Sequence, residues 1–390
     1  MTAPLPGSAR TLPLDERARA TQRMHHAALA GAPLPERPRD LVARSWQRVL
    51  HLGLPATGRN LRDPLALDRV EQLRRTSPLR HVIDDVRSVL TSSADAANYI
   101  VVITDANGVI LWREGASRVR MTADRLGFAE GAEWTESQVG TNAIGTALAE
   151  AAPVELFAGE HFELDQHPWY CSAAPIHDPR TGKLLGVVDV SGPALTLHPA
   201  LSALVRSSAT LAEAMLRQRH QAGLERLRRS SAHVLRTGPA MVVDDDGWVA
   251  SSVGITARER IVAPMPDVPL AVPGLGTCVP ERLQEGWLLR PRAALSTLTA
   301  ILNGTSLEVH AGDQPWTVEL TPRHAQVLAQ LAAVGPEGLS AAQLSASLFG
   351  DGEHAVTVRA EISRLRRVVG AIISTSPYRI ADDVDLTVAA

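Results

Sequence analysis

The spacing of apolar positions changes several times along the chain. Over residues 40–52, Leu41, Val42, Trp46, Val49 and Leu50 fall on one helical stripe. The patch ERARATQRMHHAAL before it, and residues 65–73 and 78–90 after it, read as further helices. At Asn98 the period shortens. YIVVIT, DANG and VILW predict a strand, a turn and a strand, because Asn-Gly supplies the positive φ of a tight hairpin. VGTNAIGTALAEA then predicts a helix over 143–149, with Thr141 or Asn142 as its N-cap. Strands are expected at 154–157, 170–177 and 184–190, the last two joined by the turn-rich DPRTGK. A long helix over 199–236 starts on an apolar stripe and fades into RQRHQAGLERLRR.

Beyond that helix, PAMVVDDDGWVASSVG repeats the grammar of IVVITDANGVILW: apolar strand, Asp-rich turn ending in Gly, second strand. Residues 238–292 read as a small β-rich, PAS-like remnant or linker, with Pro and Gly dense between Pro264 and Pro280. From residue 305, LEVHAGDQPWTVEL predicts a two-strand lead-in. TPRHAQVLAQLAAV predicts a helix capped by Thr321, with Pro322 at its first position. GLSAAQLSASLFG and HAVTVRAEISRLRRVVG predict two more helices, and IISTSPYRI a closing hairpin, the order of a winged helix-turn-helix. The pattern therefore predicts a multidomain α+β protein. It has a helical N-terminal segment (1–77), an antiparallel sheet with flanking helices (78–220), a connecting helix and small β-rich region (221–304), and a C-terminal winged-helix unit (305–390).

Composition narrows the class. The 390 residues are 45% hydrophobic and 21% charged, a globular balance. No apolar run is long enough to cross a bilayer, and the start MTAPLPGSAR has no hydrophobic signal core, so a cytoplasmic protein without membrane contact is expected. Cys171 and Cys278 alone make no disulfide scaffold, which fits a reducing compartment. A net charge of -3 excludes a wholly basic binder but permits a local basic surface. Lys183 is the only lysine, so almost all positive charge is arginine.

That surface is legible in the third C-terminal helix. Val358, Ile362, Leu365 and Val369 fall on one face, and Thr357, Ala360, Arg364 and Arg367 on the other, with Arg359 and Arg366 on the flanks. An arginine-rich outer face with small residues and a hydroxyl suits a major groove and its phosphates. Arg379, beside Tyr378, sits where a wing reaches the backbone. Residues 355–380 carry five Arg and one Glu, but acidic residues elsewhere in the unit cancel that excess, so paired binding sites or a dimer are expected. TVRAEISRLRRVVG followed by STSPYRI resembles the winged-helix output domains of OmpR-type response regulators. The resemblance covers about 305–385 and implies DNA binding through 355–369. No receiver domain lies upstream, so phosphorelay control is not implied.

The central block GFAEGAEWTESQVGTNAIGTALAEAAPVELFAGEHF and HPWYCSAAPIHDPRTGKLLGVVDVSG is the most distinctive. Gly131, Gly140 and Gly145 permit tight turns or close approach. Trp134, Phe162 and Trp169 offer apolar walls. Glu136, Thr141, Asn142, Glu160, His161 and Asp189 offer inward polar groups, and Cys171 completes the candidate ligand-binding set. Each polar residue alone serves equally well as a cap or internal hydrogen-bond partner. EGAEWTESQVGTNAIGTAL, GEHF, WYCSAAPIHDP and GVVDVSG, in that order, resemble the GAF domain of acetoin- and glycerol-regulator-type bacterial transcription activators. With RSWQRVLHLGL as lead-in, the resemblance covers about 38–220. It implies a sensory domain that binds a small effector and signals along its exit helix. The usual members continue into a sigma-54-contacting ATPase. This sequence has no G-x-x-x-x-G-K-[ST], so ATP hydrolysis and sigma-54 activation are not carried over.

The same residues invite rival chemistry. His161, His167, Cys171 and His177 do not have the spacing of a compact zinc site, and no metal or cofactor is expected. Cys171 near a histidine suggests a redox switch, against which stands the commoner buried structural cysteine. Ser172, His161 and Asp189 suggest a nucleophile, base and orienter, but no G-x-S-x-G surrounds Ser172, and no enzyme is expected. The resulting expectation is a transcriptional regulator whose sensory domain binds a small organic effector (alcohol, ketone, diol or phenol) and controls binding to operator DNA. A homodimer and contact with RNA polymerase accompany it. The alternative is a signalling or protein-interaction module without DNA binding.

Overall fold

A computed structural model describes residues 12–57, 63–91, 98–236, 238–291, 298–310, 315–375, 377–382 and 384–389. The AGDQ turn at 311–314 and Ser376 of the closing hairpin lie outside the described residues. The chain forms two compact units, divided at Arg219/His220.

In the first unit, α1 (Leu14–Leu29), α2 (Asp40–Leu52), α3 (Leu67–Thr76) and α4 (Ile83–Thr91) precede β1 (Ile100–Asp105) and β2 (Ile110–Gly115). Then come α5 (Ser117–Asp124), α6 (Glu136–Val139), α7 (Ala143–Glu150), β3 (Val154–Phe157), β4 (Trp169–His177), β5 (Leu184–Pro193) and the 31-residue α8 (Leu201–Ser231). The strands make one sheet in the order β2-β1-β5-β4-β3, antiparallel at each pairing. Because side chains alternate across a strand, the sheet buries both faces. Ile100, Val102, Trp169, Ala173 and Val187 pack with α2, α6 and α7 through Val42, Trp46, Val139 and Ile144. Val101, Ile103, Ala174, Ile176 and Val188 pack with α4 and α8 through Val86, Leu90, Leu201 and Val205. Within the N-terminal helical segment, Val42 and Trp46 are core residues of this sheet. The amphipathic stripe of α2 packs on the sheet and against Met24 and Ala28 of α1.

The unit boundary falls within α8. The second unit continues with β6 (Ala240–Val243), β7 (Val249–Val253), β8 (Leu270–Val272), β9 (Gly276–Cys278), β10 (Glu281–Arg282) and β11 (Trp287–Leu289). A sheet β10-β11-β6-β7 and a hairpin β8-β9 share a small core around Met241, Val243, Cys278, Trp287 and Leu289. The two hairpins that read alike in sequence are built alike. Asp105 Oδ1 accepts from the N–H of Asn107 (2.9 Å) and Val109 (3.0 Å). Asp244 Oδ1 accepts from Asp246 (3.0 Å) and Trp248 (2.8 Å).

The remainder comprises β12 (Leu298–Asn303), β13 (Ser306–His310), β14 (Pro315–Glu319), α9 (Pro322–Val334), α10 (Ala341–Phe349), α11 (Ala355–Val369), β15 (Ile373–Thr375), β16 (Tyr378–Ile380) and β17 (Val384–Val388). The lead-in has three strands, not the two the sequence predicts. β12 lies in the stretch read as linker, yet it pairs with β13 and, in parallel, with the C-terminal β17. Thr321 caps α9, its side chain accepting from His324 N–H at 3.2 Å. The faces of α9, α10 and α11 meet over this sheet through Leu328, Leu331, Leu344, Ile362 and Leu365. No helix among the described residues is long and apolar enough to cross a membrane.

Candidate functional site

The nine candidate ligand residues of the first unit divide by what they bond. Glu136, Thr141, Asn142 and Glu160 are occupied by the protein itself. Asn142 caps α7, its Oδ1 accepting from Gly145 N–H (2.9 Å) while Nδ2 donates to Gly140 O (2.9 Å). Gly145 is required here because a Cβ would lie 2.6 Å from Glu136 N. Glu136, at the start of α6, accepts from Ser45 Oγ (2.5 Å), Thr146 Oγ1 (2.8 Å) and Arg48 Nε (2.7 Å). Thr141 Oγ1 lies 2.7 Å from Ser45 Oγ, which accepts from it because its own proton goes to Glu136. Glu160 receives two bonds from Arg39 (2.8 and 2.7 Å) and one from Phe157 N–H (2.8 Å). Sequence reading missed that Arg39, Ser45 and Arg48 of the N-terminal helical segment are the partners; nothing local to α2 marks them.

Trp134 and Trp169 are core residues, with the Phe128 and Trp134 rings edge-to-face at 4.3 Å. His161, Cys171 and Asp189 come together on the face of the sheet toward α2. Register places Cys171 opposite Ser191 and Ala173 opposite Asp189. His161 Nδ1 lies 3.0 Å from Ala158 O, so Nδ1 carries the proton and Nε2 accepts from the Cys171 thiol at 3.2 Å. Asp189 Oδ2 accepts from Ser191 Oγ at 2.6 Å, and its Oδ1 is buried with no hydrogen-bond partner among the described residues.

Burial sets the charge of this cluster. It pulls His161 down to about 4, and His25 nearby adds to the shift. It likewise pulls His25 and His167, whose rings meet edge-on at 4.7 Å, down to about 4. It pushes Asp189 up to about 7, the Ser191 hydroxyl offsetting part of the effect. The Cys171 thiol rises well above its ordinary value, through burial first and Asp189 second. Imidazole and thiol are therefore both neutral at pH 7, which is not the ion pair of a reactive cysteine.

The other constellations are not assembled. His177 bonds Glu213, and among the described residues no group of three or more His, Cys, Asp or Glu could hold a metal ion. Ser172 precedes Ala173, which pairs with Asp189, so Ser172 and Asp189 face opposite sides of the sheet. A cavity of about 210 Å³ opens at the β3 edge, bordered by Arg17, Phe157, Tyr170, Cys171, His198 and Ser202. Of the nine candidates only Cys171 borders it.

In the second unit, α11 buries Val358, Ile362, Leu365 and Val369, as their spacing predicts. Thr357, Arg359, Ala360, Arg364 and Arg367 are exposed, and Arg366 and Arg379 half-buried. Two of these arginines have carboxylate partners the pattern did not reveal. Arg364 bonds Glu361, and Arg379 Nη2 donates to Asp382 Oδ2 at 2.8 Å.

Residues 16–214, just over half of the chain, match the family model described as MimR, N-terminal domain. The chain belongs to that family. A Rhodococcus erythropolis relative, the "uncharacterized 47.3 kDa protein in thcA 5'region", is 32% identical over 88% of this chain and 63% of its own length. The acetoin dehydrogenase operon transcriptional activator AcoR of Bacillus subtilis is 45% identical over 29% of this chain and 19% of its own. The propane 2-monooxygenase operon transcriptional activator MimR of Mycolicibacterium smegmatis is 30% identical over 48% of this chain and 31% of its own. The chain thus spans less than two thirds of the length of each. The family match takes in α1 and α2 as well as the sheet, in line with the bonds from Arg39, Ser45 and Arg48 to the sheet's neighbouring helices.

Proposed function

We propose that the chain is a DNA-binding transcriptional regulator in which a GAF-type sensory domain, built on the five-stranded sheet, controls a winged helix formed by α9–α11 and the β15–β16 hairpin. The observation that carries this reading is α11: one face locked into a core, the other presenting Thr357, Arg359, Ala360, Arg364 and Arg367 to solvent. A helix so divided can enter a major groove without unfolding its support. Membership in the MimR N-terminal family and the activator names of its relatives support the regulatory role.

The effector, in this reading, is a small organic molecule held in the cavity at the β3 edge. About 210 Å³ exceeds the ~150 Å³ that accommodates benzene, so a ligand of some six or seven heavy atoms fits. The cavity touches α1 through Arg17 and the first turns of α8 through Ser202. Occupancy there would act on the helix that leads out of the sensory domain. Within α8, residues 213–226 include no buried side chain, which suits pairing with a second copy in a homodimer. The effector must bind two arrangements of the dimer with different affinity to act as a switch. RNA polymerase is the partner through which a bound regulator would act.

Gel shifts on the DNA upstream of the protein's own gene test the reading. Wild type binds with an affinity that falls steeply with salt. Arg364→Ala with Arg367→Ala abolishes the shift and leaves thermal unfolding unchanged. Unchanged binding by that double variant would remove α11 as the recognition helix, and absence of any duplex binding would leave a protein-interaction module.

A further inference from the structure

Several arginines of the second unit meet a carboxylate: Arg282 meets Asp245, Arg364 meets Glu361 and Arg379 meets Asp382. Arg359, Arg366 and Arg367 differ. Among the described residues none of the three has an ion pair, and Arg366 Nε is shielded from solvent without a hydrogen-bond partner. Together with Ser363 they stand at i, i+4, i+7 and i+8 of α11, one face of the helix. They border a cleft of about 350 Å³ whose remaining lining includes Leu270 and Ala271 of β8 and Thr375 and Tyr378 of the β15–β16 hairpin. Among the described residues no carboxylate lines it.

The cleft is a built feature. Ala371 N–H donates to Pro269 O at 2.8 Å, which ties the residue before β8 to the end of α11. Gly370 has φ +63°, and a Cβ there would stand 1.7 Å from Pro269 O, so the two segments meet as closely as backbone allows. The negative end of the α11 dipole attracts these arginines but supplies only a partial charge. Three guanidinium groups around one cleft repel each other until an anion enters. Their planar forks match phosphate oxygens, and the Ser363, Thr375 and Tyr378 hydroxyls add donors. The volume exceeds that of a bare phosphate and admits a substituent on it.

We propose that this cleft is a phosphate-binding site formed jointly by α11, the β15–β16 hairpin and β8. Its occupant is either a backbone phosphodiester of a bound duplex or a free phosphorylated small molecule. The proposal goes beyond the regulator reading and stands without it, since it requires only phosphate recognition.

Isothermal titration of the full chain with inorganic pyrophosphate, at ionic strength held constant with chloride, tests it. Saturable binding is expected. Arg366→Gln and Arg367→Gln should each weaken it about tenfold, the weight of one charge-assisted hydrogen bond. Arg364→Gln, outside the cleft lining, should leave it unchanged. No saturable binding, or equal loss in Arg364→Gln and Arg366→Gln, would overturn the proposal. If Arg366→Gln fails to fold, Arg367→Gln, whose side chain is exposed, still decides. Duplex DNA added to the pyrophosphate complex separates the sources: competitive displacement identifies the phosphodiester, and simultaneous binding identifies the free small molecule. Pyrophosphate binding without any gel shift would retire the regulator reading and keep the site.

Discussion

His161 Nε2 accepts a hydrogen bond from the Cys171 thiol at 3.2 Å, and both groups are neutral at pH 7 because the surrounding core disfavours their charged forms. The pair is a packed internal contact.

Cys171 should therefore resist alkylation in the native protein. Iodoacetamide at pH 8 is expected to label the half-buried Cys171 far more slowly in the folded chain than in urea and to leave the buried Cys278 unmodified until the chain unfolds, as read by mass spectrometry. Rapid labelling of native Cys171 would show that burial does not hold the thiol.

Stability should depend on pH with two opposing slopes. His25, His161 and His167 titrate near 4 when folded against an ordinary 6.5, so their contribution is present above 6.5 and lost as pH falls toward 4. Asp189 titrates near 7 against 3.8, so its contribution is present below 3.8 and lost as pH rises through 7. Between pH 4 and 6.5 the histidines outnumber the carboxyl and stability rises with pH. Asp189→Asn removes the opposing slope, so its urea midpoint should climb more steeply than wild type between pH 5 and 7. Parallel curves for the two proteins would contradict the Asp189 shift.

Glu136 holds α6 to α2 through Ser45 and Arg48. Glu136→Ala should cost about 3 kcal/mol, the lower end for breaking a buried pair, since the Arg48 side chain is 38% exposed. Denaturant unfolding measures this. A loss below about 1 kcal/mol would mean that Glu136 is free for a role other than structural support.

On the regulator reading, Asp382 holds back Arg379. Asp382→Asn should free that guanidinium and remove one negative charge near the duplex. Affinity in a gel shift is expected to rise several-fold, and the salt dependence to steepen by about one phosphate contact. No change in either would place the β15–β16 hairpin away from DNA.

The sequence by itself determined features whose partners lie within a few residues. The Asp105 and Asp244 turns, the Thr321 cap and the buried face of α11 depend on hydrogen bonds or spacings that span one or two turns of chain. Such signals are written locally because the competing conformations are local too. Only the tertiary structure decided that Glu136 and Glu160 are occupied by the protein, that β12 pairs in parallel with β17, and that Pro269 closes on Ala371. Ser45 and Glu136 stand 91 positions apart, and a carboxylate in a motif reads the same whether a ligand or an arginine will meet it. Which partner arrives is set by how α2 packs its stripe onto the sheet, a balance of burial over the whole core that no short stretch of sequence contains.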